Sequence, residues 1–149
     1  MTLTKYIEHR LGKTAGEQAI NFLGRPFGAD SFAGFWRYWN PVWSYYLSYF
    51  CYTPLRSRVP RPLAVLLTFL FCGVVHDLPF VAGASLVGGR GASFTLTAFF
   101  GLTGCLVLLT EHLRIRFARL PMAARWSAHC VALFACYRTA LFLTTRHAQ

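Results

Sequence analysis

The chain has 149 residues, of which 55% are hydrophobic, 17% aromatic and only 13% charged, with a formal net charge of +10. An ordinary globular domain carries about 25% charged residues, and disorder needs low hydrophobicity with high charge, so both classes are excluded. The basic residues fall between membrane-length apolar runs, which argues against a nucleic-acid binder and for an all-α, polytopic integral membrane protein with its arginines at the lipid surface.

In chain order, residues 1–33 form a polar N-terminal segment. It is predicted to hold a short helix over 3–11 and then a loop, because Gly12, Gly16, Gly24 and Gly28 interrupt any longer helix. The first twenty residues lack the continuous apolar core of a signal peptide, so membrane insertion is assigned to an internal segment. A membrane domain is predicted over 34–149. It opens with 34–55, GFWRYWNPVWSYYLSYFCYTPL, which holds Trp36, Trp39, Trp43 and the tyrosines 38, 45, 46, 49 and 52. Such rings favour the bilayer interface. Arg37, Asn40 and Pro41 make a full crossing costly, so an interfacial or steeply tilted helix is expected. Spans are predicted over 63–87, 93–110 and 126–145, each near the roughly 20 residues that a bilayer core requires. Gly88, Gly89, Arg90 and Gly91 supply the turn between the first two. Arg56, Arg58 and Arg61 form one basic cluster, and Arg114, Arg116, Arg119 and Arg125 another. Cytoplasmic placement of both clusters makes the first span leave the cytoplasm, the second return and the third leave again. The five cysteines are odd in number and contain no C-x-x-C pair, so they are read as apolar filling rather than a disulfide framework or zinc site.

His76 and Asp77 interrupt the first span. His76 lies about 20 Å along the helix from Leu63. Ionisable groups at that depth face a protein interior or a water-filled cavity. Phe69, Cys72, Gly73 and His76 share one helical face, and the two small residues let a neighbouring backbone or a substrate chain approach it. Pro79 is expected to open the helix nearby. A lone buried histidine has an equal claim to a purely structural hydrogen bond, but Asp77 beside it doubles the cost of burial and favours function. Arg138, in the middle of the third span, is expected to be satisfied by snorkelling or by pairing with Asp77, with a structural ion pair favoured. His112 and His129 lie near span ends and read as tolerated interfacial polar groups. Asn40, in R-Y-W-N-P, is an N-cap signal for a helix starting at Pro41.

The stretch FWRYWNPVWSYYLSYFCYTPLRSR, followed by LAVLLTFLFCGVVHD, resembles the membrane-bound O-acyltransferase family. In that family an F-W-x-x-W segment leads into an aromatic helix ending near Y-x-P-L, then a basic loop, then an apolar helix ending in a histidine. Phe35, Trp36, Trp39, Tyr52, Pro54, Leu55 and His76 follow that order, and the resemblance covers about residues 31–115. The Trp39–Asn40 pair is similar to the sterol and diacylglycerol acyltransferase branch. The resemblance implies transfer of an acyl group from an acyl-CoA or acyl-carrier thioester to a hydroxyl inside the membrane, with no metal and no tightly bound cofactor. It implies His76 as general base and Asn40 as the residue orienting the histidine or the donor. Trp36, Trp39 and Asp77 are the expected substrate contacts. The expected partners are the lipid bilayer, the thioester donor, and a partner membrane chain or homo-oligomer supplying further helices. The expected location is a bacterial cell (inner) membrane. Two alternatives stand beside this one. A non-catalytic accessory or remnant subunit would tolerate change at His76 and Asn40. A small transporter or channel subunit would use His76, Asp77 and Arg138 as a polar path, but the chain has no repeated half of the kind many transporters show.

Overall fold

The computed structural model describes residues 1–86 and 94–145, and every regular element among them is helical. The predicted turn at Gly88–Gly91 and the predicted span ends at 87 and 93 lie outside the described residues.

Helix α1 covers Leu3–Leu11, with Thr2 as N-cap. A second helix, α2 (Ala15–Phe27), stands where a loop was expected. Its start is a reciprocal capping box: Thr14 Oγ1 accepts from the Glu17 N–H at 3.2 Å, and the Glu17 carboxylate accepts from the Thr14 and Lys13 N–H groups at 3.1 and 2.8 Å. Gly16 and Gly24 are carried inside this helix, since each glycine costs only about 1 kcal/mol and the cap offsets part of that.

The aromatic segment is two arms rather than one helix. α3 (Phe32–Tyr38) ends at Trp39, whose backbone is extended. Asn40 then adopts the left-handed region, with φ of 41° and ψ of 76°. The ring of Pro41 crowds the ordinary helical region for Asn40, so the chain must break here. α4 (Pro41–Tyr46) restarts it and runs through a π-helical segment, Leu47–Tyr52, into α5 (Thr53–Arg56). The π register is visible where the Thr53 N–H bonds the Ser48 carbonyl five residues back.

Among the described residues three helices are long and apolar enough to cross a bilayer: α6 (Arg61–Leu86), α7 (Thr95–His112) and α8 (Met122–Thr145). α6 continues unbroken through Pro79, so the expected opening does not occur. α7 packs against both of its neighbours. The α6–α7 contact is tight at Gly73, where an added Cβ would lie 2.5 Å from Thr97 Cα. Two further links tie this pair. The buried Asp77 carboxylate accepts from the Leu96 N–H at 3.0 Å and from the Thr97 N–H and hydroxyl at 2.7 Å each, which satisfies orphan donors at the start of α7. At the opposite end Arg61 Nη2 meets Glu111 Oε1 at 2.9 Å.

The aromatic arms lie against these spans. Trp43 Nε1 donates to Cys72 Sγ at 3.1 Å, and Cys51 Sγ to Thr68 Oγ1 at 3.8 Å, so the second arm runs antiparallel to α6. Cys72 is about 16 Å along α6 from Arg61, so the arm reaches inward beside the span instead of lying flat at its end. The base of the first arm is fixed by rings: Phe27 stacks on Trp126 with centroids 4.8 Å apart, and Phe32 and Phe35 are almost fully buried against His129. His129 is itself fully buried, with Nε2 3.1 Å from the Ala29 carbonyl, so it is a packing residue. The arginine-rich 113–121 loop closes over the same region, where the Phe117 N–H meets Asp30 O at 2.6 Å and Arg125 Nη1 meets Gly28 O at 3.2 Å.

Candidate active site

The break at Asn40 and the approach of α4 to α6 enclose a cavity of about 380 Å³. Its walls come from α1, α3, α4 and the π-helical segment after it, α6 and α7, and include Trp36, Trp39, Asn40, Trp43, Phe69, Cys72, His76 and Phe100. Irregular backbone at such a position is tolerated where it lines a cavity. Both Asn40 and His76 are exposed in the chain by itself.

His76 is held by its own helix. Its Nδ1 lies 2.7 Å from the Cys72 carbonyl oxygen. A carbonyl only accepts, so Nδ1 carries the proton and Nε2 keeps a free lone pair. The ring is fixed on two sides, by the edge of Trp43 with centroids 5.5 Å apart and by Phe100 at 5.2 Å.

Asn40 is polarised in the opposite sense. Its Oδ1 accepts from the Trp43 N–H at 3.2 Å, capping α4. A backbone N–H calls for the oxygen, so the side-chain NH₂ is the group left for a ligand. One cavity therefore presents a proton acceptor from α6 and a hydrogen-bond donor from the turn between α3 and α4.

Of the residues singled out in the sequence, Asn40, His76, Trp36 and Trp39 line this cavity together. Asp77 is not among its lining residues, because its carboxylate is taken up by the start of α7. The expected Asp77–Arg138 pair is not formed: Arg138 is exposed on α8, and the carboxylate partners are all on α7. Trp43 was expected only as an interfacial ring and Cys72 only as a small residue on the His76 face, and neither was foreseen as a hydrogen-bonding group of the site. Their signals were positional: Trp43 is the third residue after the Asn40 cap, and Cys72 is four before His76, where a histidine ring can reach back to a carbonyl.

One end of the cavity is charged. Arg37, Arg61 and Glu111 line it, and they also line an adjoining cavity of about 590 Å³ that adds Arg114 and Arg116. Both arginine clusters of the sequence thus contribute to one mouth.

The sequence model of the membrane-bound O-acyltransferase family, MBOAT, matches residues 12–83, which contain both aromatic arms and α6 through His76. Over these residues, just under half of the chain, it is similar to the membrane-bound O-acyltransferase family. Diacylglycerol O-acyltransferase 1 of Arabidopsis thaliana is 33% identical to it over 94 residues, which make up 61% of this chain and 17% of that protein. The match therefore spans about a sixth of the relative's length. No solved structure matches the chain. The family match stops at residue 83, yet α7 completes the cavity through Phe100 and Glu111.

Proposed function

We propose that this chain carries the acyl-transfer centre of a membrane-bound O-acyltransferase, moving an acyl group from a thioester to a hydroxyl. The observation that carries the proposal is the opposed polarity of His76 and Asn40 on one cavity. Nε2 of His76 takes the hydroxyl proton as that oxygen attacks the thioester carbonyl. The Asn40 NH₂ donates to the carbonyl oxygen as it becomes an oxyanion. When the tetrahedral intermediate collapses, the C–S bond breaks, and the imidazolium returns its proton to the departing thiolate. The products are an ester and a free thiol, with no oxidant or metal in the balance.

The charged mouth supports a long donor with an anionic end. From Arg61 to His76 the helix rises about 22 Å. An acyl-CoA or acyl-carrier thioester, with its phosphate among the arginines and its carbonyl at His76, suits that separation. Trp36, Trp39, Phe69 and Phe100 give the apolar wall an acyl chain needs. The name of the plant relative makes diacylglycerol the first acceptor to try. The exposure of His76 and Asn40 favours a partner membrane chain or a second copy that covers the chamber. The same exposure is what favours the alternative, a non-catalytic accessory subunit. The bacterial cell membrane stays part of this proposal, and the relative matched above is a plant protein.

The test is made in proteoliposomes with the purified chain and radiolabelled palmitoyl-CoA, with diacylglycerol, a long-chain alcohol or no acceptor. Labelled ester in one acceptor lane is expected. No labelled ester in any lane would overturn the catalytic reading and favour the accessory one.

A further inference from the structure

We infer that Trp43 is a positioning residue that couples the two halves of the centre, tying Asn40 and His76 together through two different hydrogen bonds. Its backbone N–H is the donor that Asn40 Oδ1 accepts, at 3.2 Å. Its indole N–H is the donor that Cys72 Sγ accepts, at 3.1 Å. Cys72 in turn supplies the carbonyl that holds His76 Nδ1 at 2.7 Å. A continuous path of four residues, Asn40–Trp43–Cys72–His76, thus joins the turn between the aromatic arms to the span. Trp43 adds a second constraint, since its ring meets the His76 ring edge-on at an interplanar angle of 89°.

The physical need for such a link is plain. Asn40 and His76 sit on separate elements, and their chemistry requires that a donor and an acceptor be held within a fraction of an ångström of a productive arrangement. The Cys72 carbonyl by itself fixes only the histidine, and the Asn40 cap fixes only the turn. The indole N–H is the described hydrogen bond between α4 and α6 at this level. Sulfur is a soft, weak acceptor, so the bond alone is modest. Its value lies in orientation: with the indole anchored, the imidazole is confined between Trp43 and Phe100 with Nδ1 on the carbonyl.

The test separates orientation from folding. Trp43→Phe keeps an aromatic ring and removes only the indole donor, and the Asn40 cap persists because it uses the backbone N–H. Cys72→Ala removes the acceptor, and Cys72→Ser restores one. In the transfer assay, Trp43→Phe and Cys72→Ala each lower kcat about tenfold with KM within about twofold, as expected for lost alignment rather than lost binding. The double variant falls no further than either single one, because both remove the same interaction. Cys72→Ser keeps most of the rate. A second measurement does not use turnover: ¹⁵N spectra of the ring nitrogens in the detergent-solubilised chain. The unaltered chain shows His76 protonated at Nδ1 alone, and Trp43→Phe shows a mixture of tautomers.

Multiplying losses in the double variant, or an unchanged tautomer and kcat in Trp43→Phe, would overturn the inference. The kinetic arm rests on the acyl-transfer proposal and the spectroscopic arm does not. Absence of transfer in the unaltered chain would therefore count against that proposal, while the tautomer comparison would still decide the role of Trp43.

Discussion

Asn40 and His76 each carry one group that can accept a hydrogen bond and one that can donate. In each the fold occupies one and leaves the other. Asn40 spends its oxygen on the Trp43 N–H, and His76 spends its Nδ1 proton on the Cys72 carbonyl. This predicts a sharp contrast at position 40. Asn40→Asp keeps an oxygen to cap α4 and tolerates the left-handed backbone, but it replaces the amide donor with a carboxylate. The expected result is a loss of about 10² or more in kcat with the folded state retained, the scale of a missing oxyanion donor. Circular dichroism alongside the transfer assay checks both halves. At this scale the sequence was partly legible. R-Y-W-N-P marked Asn40 as a cap and membrane depth marked His76, but the direction of each hydrogen bond was not written there. Trp43 went unseen because its role depends on an approach of α4 to α6 that no local pattern encodes. Asp77 misled for a related reason: depth flags an expensive carboxylate, but its partners are the amides that open α7, nineteen and twenty residues on.

Among the elements, the α6–α7 contact governs where His76 points, since Gly73 and Asp77 flank it and both dock on the first turn of α7. Gly73→Ala would press a Cβ against Thr97 Cα at 2.5 Å, where backbone must move, and costs about 1–3 kcal/mol as an overpacking change. Gly83→Ala, in the same helix with nothing within 4 Å, is neutral or slightly stabilising. Thermal unfolding of both variants in detergent checks the difference. A second element, α2, carries a pH signature. Hydrogen bonds from Thr14 and then Lys13 hold the Glu17 carboxyl below its ordinary pKa. Its capping contribution is therefore complete above the ordinary carboxylate range and is lost as pH falls through the lowered folded value. Hydrogen-exchange protection of the first-turn amides of α2 should drop on acidification, and Glu17→Gln should remove that pH dependence. The spans were legible because length and hydropathy are local properties. α2 was not, because its glycines were weighed without the Thr14–Glu17 box. The aromatic segment was legible as a unit, while its break at Asn40 depends on the proline that follows.

For the whole molecule, α6, α7 and the two aromatic arms line a cavity with a chemical gradient, while α8 packs on α7 without lining it. Arginines from both basic clusters lie at one end, and the Asn40–His76 pair lies deeper, among rings. The class of protein could be read from composition and the order of apolar runs along the chain, while the candidacy of Asn40 rested on the family resemblance. The cavity could not, because it forms from contacts between residues as distant as Trp36 and Phe100, whose ring centroids lie 5.8 Å apart. The account stands on His76 as the base within that cavity. The most direct test compares the unaltered chain with His76→Ala in proteoliposomes, with radiolabelled palmitoyl-CoA and the acceptor that takes up label. The account predicts ester formation by the unaltered chain and a loss of at least about 10²-fold in the variant, with membrane insertion unchanged. Ester formation at an undiminished rate in His76→Ala would contradict it.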